Sequence, residues 1–293
     1  MNALAIKVGF CVAYDWILLR YSLPLVYDRA NVICLSLDQN RVSWGGEKFE
    51  FDERPFRAFL REIDTQKKII VLEESFYKPE LSPMENEVRQ RNIMAEFMGI
   101  EGWHIQLDCD EYFIGFELFV QFLKTDAPRL SANICCAWIT LFKKLPNGYL
   151  IIDPQKKTRV ETIAVASTSP RYQYGRKNGY SNFYTKFKIL HQSWARAEID
   201  IVQKINNWGH KNDFDAKRFI DFWKSLDESN YKEALNFHPI DPPIWPSLRF
   251  VPSSSIEELI RITPPFYSFS TWDLRLKNSK VLSKIKQLWY LIK

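Results

Sequence analysis

The sequence predicts an α/β fold in which a mixed β-sheet is flanked by helices and followed by a helical carboxyl-terminal extension. Over the first 110 residues, short and nearly continuous apolar runs alternate with longer segments of helical periodicity. Such runs are typical of strands that helices cover on both faces, as in a parallel sheet. Farther along, a Pro-Asn-Gly turn at 146–148 between two apolar runs predicts a hairpin, which adds antiparallel strands. A chain of 293 residues, 46% of them hydrophobic, can bury one large core or two small ones.

The composition argues against several classes of protein. Lysine and arginine number 40 and aspartate and glutamate 35, so the net charge of +5 does not by itself indicate a nucleic-acid-binding protein. The longest weakly charged run, 130–142, is shorter than the roughly 20 residues that a membrane-spanning helix needs. The five cysteines form no CxxC pair and most lie in apolar runs, which predicts reduced, buried thiols in a cytoplasmic protein.

The first part of the chain is predicted to form a βαβαβ series. Strands are expected at 5–13, 31–37 and 68–72, and helices at 15–29 and 55–63. The carboxyl ends of parallel strands meet at one edge of the sheet, where ligands of α/β folds bind. We therefore expect functional residues directly after the strands.

The next helix has the clearest start signal in the sequence. Ser82 is placed to cap its amino end, with Glu85 three residues later, and Gly99 ends it. On a helical wheel, Arg91 and Asn92 fall on the face that is expected to point inward. Polar side chains that point inward need partners. Arg91 therefore either braces neighbouring loops or shapes a site at the end of the following strand.

That strand, at 103–107, leads directly into the sequence Asp-Cys-Asp-Glu. Residues two apart in extended backbone point the same way, so Asp108 and Asp110 present carboxylates about 7 Å apart. Neighbouring carboxylates repel each other unless a cation or hydrogen-bond donors balance them. Mg²⁺ or Mn²⁺ would provide that balance, and a diphosphate can complete the coordination shell of either ion. The alternative is a solvated acidic turn.

The second part of the chain is predicted to complete the sheet. Its elements are expected at 116–123 (helix) and at 134–142, 149–152, 159–166 and 183–190 (strands). The loop at 171–180 is basic and aromatic, as in a lid over phosphates, although a solvated loop or an RNA-binding loop has the same composition. His191 follows the last strand and could reach a metal ion at Asp110, although a lone histidine is more often structural.

The remaining chain is predicted to be mainly helical, with helices ending at 208–210 and lying at 215–226 and 229–237. The last segment, 277–293, combines an apolar stripe with a lysine-rich face. A helix on an anionic membrane surface and a packed terminal helix both produce this pattern, so both interpretations remain open.

These motifs resemble those of GT-A glycosyltransferases, particularly bacterial family 2-like enzymes of surface polysaccharide loci. In that family, an Arg-Asn pair on a helix precedes a strand that ends in a D-x-D motif followed by an acidic residue. Here the pair is Arg91 and Asn92, and the acidic motif runs from Asp108 to Glu111. The resemblance extends over roughly residues 5–210, the length of one such domain.

The resemblance implies a Rossmann-like GT-A catalytic domain at 1–210, with a nucleotide-binding half at 1–112 and an acceptor half at 113–210. The helical extension would occupy 211–293. The implied reaction transfers a sugar from a nucleotide-diphosphate donor to a glycan or lipid-linked glycan, with Mn²⁺ or Mg²⁺ as cofactor and no nucleic-acid partner. The implied location is the cytoplasm, with peripheral contact at the inner face of the cytoplasmic membrane through the last helix.

The resemblance also assigns roles to individual residues. The donor nucleotide would be bound by Ala13, Tyr14, Asp15, Asp38, Arg91 and Asp108. The metal ion would be held by Asp108, Asp110 and His191. Apart from the resemblance, Glu198 is a candidate general base because it is expected near the inward face of the helix after His191, and Glu111 is a second candidate catalytic carboxylate. An enzyme that retains the anomeric configuration would need no such base.

Two departures from the family leave questions open. The first strand leads into Tyr14-Asp15-Trp16 instead of a polar stretch with asparagine, and the acidic pair that supplies the base of inverting members is not evident. Two other functions therefore remain as alternatives. A nucleotidyltransferase shares the core but normally has a glycine-rich phosphate loop, where this chain has only Gly9. A non-enzymatic nucleic-acid or surface-binding protein would use the basic loop and tail.

Overall fold

The alternating strand and helix segments fold into one mixed sheet with helices packed against it. The structure is a computed structural model that describes residues 4–128, 131–156, 159–207 and 214–279. The strands are β1 (Ile6–Val12), β2 (Val32–Asp38), β3 (Ile69–Glu74), β4 (Trp103–Asp108), β5 (Glu111–Ile114), β6 (Asn133–Leu145), β7 (Gly148–Asp153), β8 (Thr162–Ser167), β9 (Asn182–His191) and β10 (Ser247–Pro252). The helices are α1 (Leu19–Tyr27), α2 (Glu53–Ile63), α3 (Pro83–Phe97), α4 (Phe116–Thr125), α5 (Glu198–Asn207), α6 (Ala216–Ser225), α7 (Ile256–Ile262) and α8 (Thr271–Lys277). The predicted α/β class and the Rossmann-like arrangement are confirmed.

The parallel half of the sheet has the order β3-β2-β1-β4. The chain adds β2 and β3 on one side of β1, and then places β4 on the other side. This reversal is a topological switch point, and it opens a crevice at the carboxyl ends of the strands. Cys11 of β1 lies opposite Asp108 of β4, so the two strands end level with each other.

The antiparallel half brings later segments to the same edge of the sheet. In β8, Ala166 lies opposite Ile105 of β4, so the start of β8 extends beyond the end of β4. The long strand β6 pairs with β7, β8 and β9. The short strand β5 pairs with β9 and sets Glu111 opposite His191. Residues far apart in sequence therefore meet beside the acidic motif.

The start of α3 follows the predicted pattern. Ser82 and Glu85 form a capping box, and Gly99 beyond the carboxyl end has φ +76°, a conformation that favours glycine. Two strands were not predicted. β5 has only four residues, too few for a periodicity to be recognised, and β10 covers the edge of β7 within the region that was expected to be helical.

The prediction of a helical carboxyl-terminal extension is therefore corrected, because this region contributes strand β10 to the sheet as well as helices. The helix predicted at 229–237 is limited to one 3₁₀ turn at Tyr231–Glu233. The predicted helix end at 208–210 and most of the lysine-rich segment, 280–293, lie outside the described residues. In the ranges that are described, the helices are too short or too polar to cross a bilayer.

Among the described residues, the two largest of four apolar clusters hold most of this arrangement together. The larger one packs β1, β2 and β4 against α1, α2 and α4, and Phe10, Leu35 and Ile105 are fully buried in it. A second cluster lies under α5 and α6 and contains Trp194 and Trp245. All five cysteines are buried and free, as predicted.

Candidate active site

The crevice at the switch point is a cavity of about 710 Å³. The residues after β1 and β4 form the centre of the cavity. The loops after β2 lie on one side of it, and the start of β8 and the segment after β9 lie on the other side. This volume is within the range of small-molecule and cofactor sites. The position of the cavity agrees with the expectation that functional residues follow the strands.

Asp108, at the end of β4, is held by two buried arginines. Arg91 Nη2 lies 2.8 Å from Asp108 Oδ1, and Arg176 Nη2 lies 2.7 Å from Oδ2. Arg91 is fully buried and also pairs with Glu87 at 2.9 Å. Burial opposes the charge of Asp108, but the two guanidinium groups outweigh it and hold the pKa of this carboxyl below its usual value.

Arg91 therefore occupies the inward position that the helical wheel predicted, but it does not line the cavity. It lies behind Asp108 and fixes that side chain, so its assignment to direct donor binding is corrected to a positioning role. Asn92 also faces inward. It donates to the carbonyl of Tyr172 at 3.0 Å and accepts from the Tyr172 amide at 2.7 Å. The Arg-Asn pair thus fixes the acidic motif with one residue and the basic loop with the other.

Glu111 was a candidate catalytic residue, and the structure places it outside the cavity lining. Its side chain is fully buried and accepts from Trp138 Nε1 at 3.0 Å and from the Asp108 amide at 3.0 Å. Arg176 Nη1 lies 2.7 Å from its carboxylate. Burial raises the pKa of Glu111. Its predicted catalytic role is therefore corrected: Glu111 is a buried carboxylate that holds Arg176 and the Asp108 backbone in position.

Asp110 is buried among a different set of cations. Its Oδ2 pairs with Arg196 and lies 3.4 Å from His191 Nε2 and 3.6 Å from Lys204 Nζ. Arg196 also bonds Asp15 at 3.0 Å. Burial opposes ionisation, but His191 and the two cationic side chains hold the pKa of Asp110 well below its usual range. Asp110 and His191 are therefore neighbours, and their predicted role as metal ligands stays a prediction.

His191 is held by stacking as well as by Asp110. Its ring lies on Trp138 with a centroid distance of 4.1 Å and an interplanar angle of 9°. Its Nδ1 is buried and has no hydrogen-bond partner within the described ranges. A buried polar nitrogen without a partner is rare, and it marks a position where a ligand could complete the contact.

The basic loop at 171–180 folds over the cavity in a tight turn. Tyr174 and Lys177 form a β-bridge around Gly175, which has φ +53°. This turn sends Arg176 inward to Asp108 and leaves Lys177 exposed at the cavity. The loop thus lies at the cavity, and its predicted function as a lid over phosphates stays a prediction.

The residues expected to bind the donor nucleotide have different environments. Ala13, Tyr14 and Asp15 line the cavity after β1. Asp38 also lines it, but its carboxylate accepts hydrogen bonds from backbone amides of the loops after β2 and β3, including Asn40 at 2.9 Å. Asp38 therefore organises these loops at the edge of the cavity, and its predicted role in binding the donor nucleotide stays a prediction.

Glu198 lies at the surface. Its side chain is 56% exposed, it pairs with Lys224 at 2.5 Å, and it does not line the cavity. The reason is the orientation of α5, whose buried face is formed by Ile201 and Ile205. The prediction that Glu198 is the general base is therefore not supported by its position.

Sequence reasoning missed four residues of the site. Arg176 lies in the basic loop that was singled out, but its inward direction depends on the turn. Arg196 and Lys204 come from a segment that approaches Asp110 only through the pairing of β5 with β9. Glu161 lines the cavity before β8, and no motif in the sequence marks it.

The predicted metal ligands fit a divalent ion only in part. Within the described ranges, no three or more His, Cys, Asp or Glu side chains surround a common point. Asp108 does not fit, because both of its oxygens are paired with guanidinium groups. Asp110 and His191 do fit, since Mg²⁺ is usually held by one or two protein ligands together with water and substrate phosphates.

Comparisons with known proteins identify no family for this chain. No protein-family model matches the sequence, and no curated protein sequence matches it. Among solved structures, the chain is similar to the crystal structure of mannose-1-phosphate geranyltransferase from Thermus thermophilus, with a TM-score of 0.27 and 10% sequence identity. The similarity covers 56% of this chain and 50% of that one, so it spans half of that protein. At this level it supports no functional argument.

Proposed function

We propose that the protein is a GT-A-type glycosyltransferase that moves a sugar from a nucleotide-diphosphate donor to a hydroxyl acceptor. One observation carries the proposal. A cavity of ligand size lies at the switch point of the parallel strands, and it joins the Asp110–His191 pair to the cationic turn at Arg176 and Lys177. Ligands of α/β folds bind at this point of the sheet, and cationic groups there favour phosphates.

The donor nucleoside would occupy the side of the cavity next to β1 and β2. Tyr14 and Phe49 line this side and contact each other, with ring centroids 6.2 Å apart. Trp44 closes it, held by a hydrogen bond from its Nε1 to Gln90 at 2.6 Å. Rings that are held in this way provide flat apolar walls for a base.

The diphosphate would lie over the centre of the cavity, near Lys177 and Lys204. Lys177 has no side-chain partner within the described ranges, whereas Lys204 is shared with Asp110. These ammonium groups would orient the diphosphate and stabilise the charge that develops on it as the glycosidic bond breaks. Asp108 and Glu111 would contribute indirectly, by holding Arg176 in place.

The predicted Mn²⁺ or Mg²⁺ ion is part of this proposal. Asp110 and His191 would hold it, with donor oxygens completing its shell, and when bound it would neutralise the departing diphosphate. Asp108 would support this pair without being a ligand, because its charge is already balanced by Arg91 and Arg176.

The acceptor and the location of the protein rest on the family resemblance and the charge pattern. We propose a glycan or lipid-linked glycan of a bacterial surface polysaccharide or lipopolysaccharide as the acceptor. The lysine-rich carboxyl-terminal segment would bring the enzyme to the inner face of the cytoplasmic membrane by attraction to anionic lipids.

A panel of nucleotide sugars, tested with Mn²⁺, with Mg²⁺ and with EDTA, examines this proposal. We expect release of a nucleoside diphosphate from at least one donor, whereas a nucleotidyltransferase would release pyrophosphate from a nucleoside triphosphate. Asp110→Asn should lower the rate at least about 100-fold, since it removes a ligand of the charge-balancing ion. Glu198→Gln is the matched control and should behave as the wild type. Equal rates and equal metal dependence for wild type and Asp110→Asn would refute the role of Asp110.

A further inference from the structure

The carboxylates that line the cavity differ in what already binds them. Six acidic residues line it in the described chain: Asp15, Asp38, Glu87, Asp108, Asp110 and Glu161. Four of them are paired with arginines, and the carboxylate of Asp38 accepts hydrogen bonds from backbone amides. Glu161 differs from the other five among the described residues, because no arginine or lysine pairs with it and Trp245 Nε1 is the single hydrogen-bond donor to its carboxylate.

Glu161 is held in place without being neutralised. Its Oε2 accepts a hydrogen bond from Trp245 Nε1 at 3.1 Å, and Trp245 is buried. Its backbone carbonyl accepts from the Trp138 amide at 2.8 Å, which ties this residue to β6. No other hydrogen bond to its carboxylate is present in the described chain, so Oε1 remains available to a ligand. Burial raises the pKa of Glu161, which makes its carboxylate a stronger base than a solvated one.

The sheet order places Glu161 on the side of the cavity away from the proposed nucleoside position. β4 lies between β1 and β8, so the residue just before β8 is separated from the loops after β1 and β2 by Asp108 and Asp110. Trp138, Trp245 and His191 line this side of the cavity. A donor bound across the centre would therefore direct its sugar toward this side.

We propose that Glu161 is the general base that activates the acceptor hydroxyl in an inverting sugar transfer. The inference rests on the proposed function. The acceptor O–H proton passes to the Glu161 carboxylate, and the acceptor oxygen forms a bond to the anomeric carbon. The bond from that carbon to the donor phosphate breaks, and its electron pair leaves on the nucleoside diphosphate. A base opposite the leaving group gives a single displacement with inversion at the anomeric carbon.

The other carboxylates that sequence reasoning proposed are unsuited to this step. Glu111 is fully buried and paired with Arg176, and Glu198 is at the surface with Lys224. A general base has to be ionised, reachable by the substrate and free to accept a proton. Among the carboxylates of the described chain that line the cavity, Glu161 meets these requirements.

The test compares the full-length wild type with Glu161→Gln, Glu161→Asp and Trp245→Phe. Transfer to p-nitrophenyl glycosides, hydrolysis of the donor, and the Kd of the nucleoside diphosphate are measured for each protein. Glu161→Gln should lower kcat for transfer by about 10²–10⁴-fold while the Kd stays within about twofold of the wild type. Glu161→Asp should recover part of the rate. Trp245→Phe should lose less than Glu161→Gln, because it removes the hydrogen bond and keeps the carboxylate.

Several results would contradict the assignment of Glu161 as the general base. Transfer by Glu161→Gln at more than half the wild-type rate overturns it, and so does a product with retained anomeric configuration by NMR. A loss of transfer that is matched by an equal loss of nucleoside diphosphate binding would show a structural role instead. If the wild type transfers no sugar from any donor, the proposed function itself is refuted and the assignment of Glu161 falls with it. An active wild type with an active Glu161→Gln variant refutes only the base.

Discussion

Asp108 and Asp110 are two residues apart, yet the fold gives them different surroundings. Asp108 faces Arg91 from α3 and Arg176 from the basic loop, both of which are buried, and its two oxygens are paired. Asp110 faces the end of β9 and the segment after it, where His191 and Lys204 both line the cavity. One tripeptide therefore supplies a carboxylate that two buried guanidinium groups anchor, Asp108, and a more deeply buried carboxylate, Asp110, and both line the cavity. The side chains that other elements bring to each position set these different surroundings.

The largest effect is expected from breaking the anchor. Arg91→Met removes the buried guanidinium that pairs with Asp108 and Glu87, and leaves both carboxylates without it. Removing one partner of a buried ion pair typically costs about 3–5 kcal/mol of unfolding free energy. Urea unfolding followed by circular dichroism measures this loss. A loss below about 1 kcal/mol would show that Arg91 is not the residue that anchors the site.

The opposite end of β4 provides a second contrast, because His104 is buried there and has no anionic partner among the described residues. Its Nε2 contacts the Gly99 carbonyl at 2.9 Å, and burial lowers its pKa to about 4 from 6.5. The unfolded state therefore binds a proton at His104 before the folded state does. The stability that the neutral ring provides is complete above pH 6.5 and declines by about 1.4 kcal/mol per pH unit as the pH falls toward 4.

Replacing His104 by Phe tests this contrast. The variant should lose the decline in stability between pH 6.5 and about 4, a total of about 3 kcal/mol. The carboxylates Asp108 and Asp110 have lowered pKa values, so their contribution is lost only at lower pH, below about 4. Urea unfolding of both proteins at several pH values separates the two ranges. An unchanged pH dependence in the variant would assign the decline to other groups.

The sequence predicted the structure best where a feature depends on residues that are close together in the chain. The cap at Ser82, the apolar runs of β1, β2 and β4, and the position of the acidic motif at a strand end all depend on neighbouring residues. The partners of that motif could not be predicted, because Arg176 is 68 residues from Asp108 and Arg196 is 86 residues from Asp110. Arg176 reaches Asp108 through the turn around Gly175, whereas Arg196 reaches Asp110 through the pairing of β5 with β9, and β5 is too short to be recognised by its pattern.

Glu161 is a second example of a site residue that local sequence patterns do not predict. The role that we propose for Glu161 depends on the start of β8 extending beyond the end of β4 and on Trp245, which is 84 residues away. Glu198 was favoured because of its place on a helix near His191, but the burial of Ile201 and Ile205 turned it to the surface. The identity of a base in a cavity is thus set by tertiary packing.

The most direct test of the account is equilibrium binding of nucleoside diphosphates, measured by titration calorimetry. Lys177→Met removes an exposed ammonium group at the cavity without breaking a side-chain contact of the described chain, and Lys224→Met on α6 is its matched surface control. We expect the wild type to bind at least one nucleoside diphosphate. Lys177→Met should bind it about tenfold more weakly, and Lys224→Met equally well. Absence of binding by the wild type, or equal affinities for all three proteins, would contradict a diphosphate site in this cavity.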